Sequence, residues 1–160
     1  MIGELSSPEI ESLLRSQLIG RIGCHDGDEV YIVPISYAYA AGCIYCHTSE
    51  GKKIDIMRKN PNLCFQLDEV LDITNWKSVI AWGEFKEIDD QKERNETVQI
   101  LLHSHLNAIS TIKTHLGDAW PFSSKKDDDL TKVTGIFFKI CLTKKTGKFE
   151  RSEGLSLSFN

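Results

Sequence analysis

Between Cys43 and Lys59 the chain places His47, Thr48, Ser49, Glu50, Gly51, Lys52 and Lys53 in one short run. An apolar strand pattern, Cys43 to Cys46, precedes the run, and a short helical pattern, Ile54 to Lys59, follows it. Both lysines therefore fall in the first turn of a helix, where the macrodipole is already positive and a cation is disfavoured by roughly 0.3–1 kcal/mol. Small hydroxyl residues, a glycine and cations at a helix N-terminus suit a bound anion, most often a phosphate. The competing reading is two solvated lysines on an exposed helix.

Other chemistry-bearing residues carry less. Cys43-Ile44-Tyr45-Cys46-His47 matches the literal pattern for covalent haem attachment. On a strand, however, successive side chains alternate faces, so the two cysteines point to opposite sides. No second ligand pair has the spacing of a zinc site. His103 and His105 lie two apart in a helical pattern and so face different ways. There is no G-x-G-x-x-G for a Rossmann nicotinamide site, and Thr146-Gly147-Lys148 lacks the upstream glycine of a phosphate-binding loop. No Ser-His-Asp set follows from spacing.

The elements that must position the lysine segment follow from the rest of the chain. Ser7-Pro8-Glu9 opens a helix with Ser7 as its cap, and Ile10, Leu13 and Leu14 form its apolar stripe. Strands are expected at Gly20 to His25 and Glu29 to Ala40, joined by an Asp26-Gly27 turn, and at Cys43 to Thr48. In the second of these, Tyr31, Val33, Ile35, Tyr37 and Tyr39 share one face, and Pro34 implies an edge or a bulge. Asn60-Pro61 stops the lysine helix. Leu63 to Val70 and Ser78 to Ile88 are two more strands. Asp89-Asp90 opens a helix with Val98, Leu101, Leu102, His105 and Ile109 at helical spacing, and Val133 to Thr143 is a last strand. Gly117 to Asp129 is expected to be a surface loop, and the tail from Glu150 to Asn160 has no clear period. Six short strands with few helices predict a small antiparallel barrel, mainly β with flanking helices.

The chain has 160 residues, 41% hydrophobic and 26% charged, with a formal net charge of −4. That is one domain, 1–160, able to bury about 68–70% of its unfolded surface. The acidic pI of about 5.7 argues against a general nucleic-acid binder. No apolar run reaches membrane-spanning length, and the N-terminus lacks the basic start and apolar core of a signal peptide. Five cysteines, an odd number, read as reduced thiols in the cytoplasm.

With these strands in order, the chain resembles the pyridoxamine 5′-phosphate oxidase-like FMN-binding split-barrel family, in its nitroimidazole-reductase-like branch. The residues that carry the resemblance are Gly20-Arg21-Ile22-Gly23, Val33-Pro34-Ile35-Ser36-Tyr37-Ala38-Tyr39, Ile44-Tyr45-Cys46-His47-Thr48 and Gly51-Lys52-Lys53-Ile54-Asp55. Asn60-Pro61-Asn62-Leu63-Cys64-Phe65, Ser78-Val79-Ile80-Ala81-Trp82-Gly83 and Thr146-Gly147-Lys148 complete them, over roughly residues 18 to 148.

The resemblance implies a six-stranded antiparallel split β-barrel with FMN at a homodimer interface. It implies that Val33, Pro34, Ile35, Ser36 and Tyr37 run along the isoalloxazine. His47, Thr48, Ser49, Lys52 and Lys53 would hold the phosphate end, and Trp76, Ser78 and Val79 would approach from a neighbouring strand. It implies an FMN-dependent oxidoreductase acting on nitroaromatic or other small electron acceptors, with NAD(P)H as a candidate donor. His47 is the candidate proton relay; its alternative role is a structural hydrogen bond to the phosphate end. The other functional reading is a module that binds a flavin, haem or a deazaflavin without turnover. The chain departs from pyridoxamine phosphate oxidases proper in carrying Tyr37 where they have a basic residue, and in lacking their Arg/His-rich C-terminal segment.

Overall fold

A computed structural model describes residues 1–109 and 133–152, the side chains of 106–109 apart. The expected 117–129 loop, and the tail beyond residue 152, lie outside the described residues.

The described strands are β1 (Ile2–Glu4), β2 (Ile19–Asp26), β3 (Glu29–Ser36), β4 (Ala38–Ala40), β5 (Cys43–Thr48), β6 (Asn62–Asp72), β7 (Asn75–Glu87) and β8 (Ile136–Glu150). The helices are α1 (Ser7–Ser16), α2 (Lys52–Lys59) and α3 (Gln91–Ile109). All strand pairs are antiparallel, in the order β3-β2-β6-β7-β8-β5-β4, with β1 added beside β8. The two ends of this path, β3 and β4, are separated in sequence by Tyr37 alone. The sheet must therefore curl until its ends nearly meet. No ladder joins β3 to β4, so the barrel is split along that seam.

Among the described residues eight strands replace the expected six. β1 has only three residues, too few to show a period, and the strand expected from Glu29 to Ala40 is broken at Tyr37 into β3 and β4, which pair with β2 and with β5. β8 runs on to Glu150 rather than stopping at Thr143, with Lys144, Lys145 and Thr146 paired to Trp82, Ala81 and Ile80 of β7.

The barrel interior collects the inward residues of each strand, among them Ile22, Ile35, Ile44, Phe65, Leu67, Val79, Phe138 and Ile140. Helix α1 closes one end with Ile10, Leu13 and Leu14. Its N-cap is Ser6, one residue before the expected cap. The backbone N–H and the hydroxyl of Ser6 donate to the Glu9 carboxylate at 2.8 and 2.7 Å. Helix α2 is anchored by Ile54, Ile56 and Met57. Helix α3 covers a smaller cluster of Ala38, Ile88, Val98, Leu101 and Phe137. Gly20 admits Phe65 against the backbone; a Cβ there would stand 2.1 Å from the ring.

One expectation about cysteine is corrected. Cys43 and Cys141 are directly opposed on β5 and β8 and form a disulfide, with Cα atoms 4.1 Å apart. Cys24, Cys46 and Cys64 are free thiols. No helix among the described residues is long and apolar enough to cross a membrane, which says nothing of crossing by strands.

Candidate functional site

The lysine segment folds as its pattern predicts. β5 ends at Thr48, and α2 begins at Lys52 with Gly51 as N-cap. Both Ile54 and Asp55 donate their N–H groups to the Gly51 carbonyl, at 2.9 and 3.1 Å. Unlike α1, α2 has no side chain capping its N-terminus. A Cβ on Gly51 would meet nothing within 4 Å, so the space over the helix end is open. Glu50, the acid just before the lysines in sequence, is drawn away by Arg58, at 2.9 Å. Arg58 also binds Glu87 at 2.7 Å and thereby fixes the far end of the helix.

Lys52 crosses the seam of the barrel to β3. Its ammonium bonds the Glu29 carboxylate and sits 5.1 Å from the centroid of the Tyr31 ring. The Glu29 hydrogen bond raises the Lys52 pKa. Lys53 is half-buried beside it. The donor set of an uncapped helix end, two ammonium groups and the Thr48 and Ser49 hydroxyls fits the phosphate end of a nucleotide-like ligand.

β3 pairs only with β2 among the described strands, so its second backbone edge faces the seam. Pro34, which has no N–H to donate, is tolerated there for that reason. The period-2 reading of this stretch holds across the break at Tyr37 between β3 and β4. Tyr31, Val33, Ile35, Tyr37 and Tyr39 all pack on the barrel core, while Pro34 and Ser36 are exposed on the outer face. Tyr37 is fully buried. Its hydroxyl donates to the Leu14 carbonyl at 2.8 Å, its ring lies edge-on to Phe65, and burial holds its pKa far above the usual phenol range. Val79 is likewise interior. Trp76 and Ser78 share the outer face with Pro34 and Ser36. The Trp76 indole N–H donates to Glu150 at 3.0 Å, and the Ser78 hydroxyl donates to the Leu67 carbonyl at 3.3 Å.

The predicted site residues thus fall into three sets. Thr48, Ser49, Lys52 and Lys53 gather at the α2 N-terminus. Pro34, Ser36, Trp76 and Ser78 line the outer sheet face. Val33, Ile35, Tyr37 and Val79 form the wall behind β3 and the core.

His47 stands apart. Alternation along β5 puts it on the side opposite Cys46 and Thr48, facing α3. Its ring lies 4.6 Å from that of Phe137, and its Nε2–H donates to the Thr134 carbonyl at 2.7 Å. Gly135, with φ of 101°, makes this approach feasible; a Cβ there would stand 2.5 Å from the ring nitrogen. Burial lowers the His47 pKa, so the ring is neutral at pH 7. The bond is structural, but it goes to the Thr134 carbonyl and not to the phosphate end named above as its alternative role.

Four participants were not found from sequence. Glu29 and Tyr31 meet Lys52 only because the barrel seam brings β3 to α2. Thr134 holds His47 from 87 residues away. Cys141 holds Cys43 from 98 residues away. Local spacing carries no signal for any of these.

A family model described as pyridoxamine 5′-phosphate oxidase matches residues 6–116. An uncharacterized protein of Rhizobium meliloti is 36% identical over 84 residues, which are 52% of this chain; the chain spans 56% of that relative's length. Among solved structures, a FAD-binding protein of Mesorhizobium loti matches with a TM-score of 0.71 at 26% identity, covering 93% of this chain and 98% of the other. A putative 5-nitroimidazole antibiotic resistance protein of Bacteroides thetaiotaomicron matches with a TM-score of 0.68 at 20% identity, over 93% and 87%. The FAD-binding protein of Mycobacterium smegmatis matches with a TM-score of 0.65 at 21% identity, over 94% and 100%. The latter two show the same fold. With more than half of its length matched by the family model, this chain belongs to the pyridoxamine 5′-phosphate oxidase family.

Proposed function

We propose that the chain is an FMN-binding flavoprotein that works as a homodimer. In this reading it reduces small electron acceptors, nitroaromatic compounds among them, with NAD(P)H as donor. The observation that carries the reading is the uncapped N-terminus of α2, with Lys52 and Lys53 in its first turn, set across the seam from the open edge of β3.

Thr48, Ser49, Lys52 and Lys53 would hold the phosphate by charge and hydrogen bonds. The segment Val33 to Tyr37, the end of β3 and the residue after it, would support the ring, with its buried residues as a rigid backing. Trp76 and Ser78 lie on the outer sheet face and would reach the ring from a second copy. When bound, the flavin supplies the redox chemistry, and the chain supplies binding, orientation and exclusion of water. The names of two structural relatives as FAD-binding proteins support a flavin, and the name of a third supports a nitroaromatic acceptor.

His47 favours a second reading. Its ring is held by the Thr134 carbonyl rather than offered to a ligand at the α2 end. A module that holds FMN, haem or a deazaflavin without turnover needs no acid or base there. The test is the visible spectrum of the purified protein followed by anaerobic NADH or NADPH. Bleaching of a flavin band supports the reductase. A flavin band that persists, or a haem band, supports the module.

A further inference from the structure

A cavity of about 720 Å³ lies between the last turn of α1, strand β4 and helix α3. Small-molecule sites run from roughly 300 to 1,000 Å³. None of the residues assigned to FMN lines it. Ala38 on its wall pairs with Tyr45, three residues before Thr48. At about 3.3 Å per residue the cavity begins roughly 10 Å along β5 from the lysine segment.

The space exists because β4 carries small side chains. Ala38 and Ala40 alternate with Tyr37 and Tyr39, so both alanines turn to the α3 side of the sheet, where Ala38 joins the cluster under that helix. Alanine is depleted in strands, and a bulkier residue at either position would fill the gap between sheet and helix. On α3, Ile100 supplies an apolar side chain, and His103 and Ser104, three and four residues on, bring polar atoms to the same wall.

The charge at the α1 end is one-sided. Glu11 already binds the Lys145 ammonium and accepts the Tyr39 hydroxyl at 3.0 Å. Arg15 reaches that carboxylate only at 3.6 Å; its side chain is 63% exposed, and its guanidinium stands 5.6 Å from the centroid of the Tyr39 ring. One carboxylate thus meets two cations, and the surplus charge lies on Arg15 at the cavity wall. Among the described residues no acidic side chain lines the cavity. The carbonyls that a helix C-terminus would turn against an anion are occupied. Leu13 accepts from the Gln17 N–H and the Ser16 hydroxyl at 3.3 and 3.2 Å, and Leu14 from the Tyr37 hydroxyl at 2.8 Å.

We propose that this cavity binds a small aromatic monocarboxylate, with the carboxylate on the Arg15 guanidinium and the ring over Ala38 and Ala40. A phosphate would meet a single cation here and no helix N-terminus. A carboxylate carries one charge and matches the guanidinium fork with two parallel hydrogen bonds. His103 and Ser104 offer further donors on the facing wall. The Tyr39 ring, Ile100 and the two alanines accept a flat apolar body. The site is separate from the flavin reading and needs no flavin to fill.

The test is isothermal titration of the full chain with 2-naphthoate and with its neutral analogue 2-naphthamide. The expected result is one naphthoate site per chain, with the amide at least tenfold weaker. Arg15→Gln, at an exposed position, is expected to bring naphthoate down to the affinity of the amide. Ala40→Leu fills the space and is expected to weaken both ligands at least tenfold. Ser104→Leu fills it from α3 and serves where circular dichroism shows that the strand variant does not fold. Saturating FMN is expected to leave naphthoate binding unchanged. No naphthoate binding, equal affinity for acid and amide, or an affinity unmoved by Arg15→Gln or by the filling variants overturns the site. Competition by FMN also overturns it, because it would place naphthoate at the flavin residues instead.

Discussion

The ammonium of Lys52 sits 5.1 Å above the ring of Tyr31 while bonding Glu29, so the first turn of α2 is tied across the barrel seam to the open-edged strand β3. A phosphate arriving at the helix end competes with Glu29 for that ammonium. Replacing Lys52 and Lys53 together with alanine is expected to weaken FMN at least tenfold, because charge-assisted hydrogen bonds are each worth roughly 1.5–3 kcal/mol. Glu29→Gln, which removes the competitor, is expected to leave binding unchanged or tighter. Fluorescence titration of FMN reads both. Unchanged affinity in the double variant would remove the site.

Riboflavin lacks the phosphate and keeps the ring. It is expected to bind at least tenfold more weakly than FMN in the same titration. Equal affinities would mean that the pocket grips the ring, and the α2 end would lose its assigned part.

Much of this arrangement was legible before the fold was known. The alternation from Tyr31 to Tyr39 put all five side chains on one face, because a period of two admits only two; the fold makes that face the core. The α2 limits followed from Gly51 and from Asn60-Pro61, which no helix continues through. What stayed hidden depends on distant chain. Lys144 to Lys148 looks like the end of a strand, since its residues are polar; it is strand because β7 runs alongside it. Cys43 finds Cys141, and His47 finds Thr134, only when β8 and its lead-in reach β5. The cap at Ser6 rather than Ser7 is a one-residue choice that the Glu9 carboxylate decides.

Tyr37 closes the seam from within. Tyr37→Phe keeps the ring against Phe65 but leaves the buried Leu14 carbonyl without its 2.8 Å partner. An unsatisfied buried acceptor costs about 1–3 kcal/mol. Urea denaturation should show a loss of this size. A neutral result would mean that water replaces the hydroxyl and that the end of α1 is less well packed than its burial indicates.

Three free thiols and one disulfide are expected by thiol titration of the denatured, unreduced protein, against five thiols after reduction. Cys43→Ser removes a link that closes 98 residues of chain and is expected to destabilise by about 2–4 kcal/mol. The variant should keep its FMN, because Cys43 points to the α3 side of β5 and not toward Thr48 and the α2 end. Loss of flavin in a variant that still folds, judged by circular dichroism, would place the disulfide at the site.

Acid should destabilise the fold in two separate stages, the first set by histidine. Burial lowers the pKa of both His47 and His105 below the ordinary value of 6.5, against the opposing pull of the Thr134 and Leu101 carbonyls. A histidine whose folded pKa is depressed binds its proton more readily in the unfolded chain. The stability it contributes is therefore complete above 6.5 and is lost as pH falls through the folded value. Each such proton gives a slope of up to about 1.4 kcal/mol per pH unit. Glu9, Glu11, Glu87 and Asp72 are also shifted down, by their hydrogen bonds to Ser6, Lys145, Arg58 and the Thr74 N–H. Their contributions persist above the ordinary carboxylate range and are lost only below it. Between about pH 7.5 and 5.5 only the histidines act, and the urea midpoint is expected to fall across that window. His47→Asn should remove part of the slope and His105→Asn a further part, while the slope below about pH 4.5 survives both. A flat profile from pH 7.5 to 5.5 would mean that neither ring is buried as neutral imidazole, and the His47 bond to Thr134 would lose its structural role.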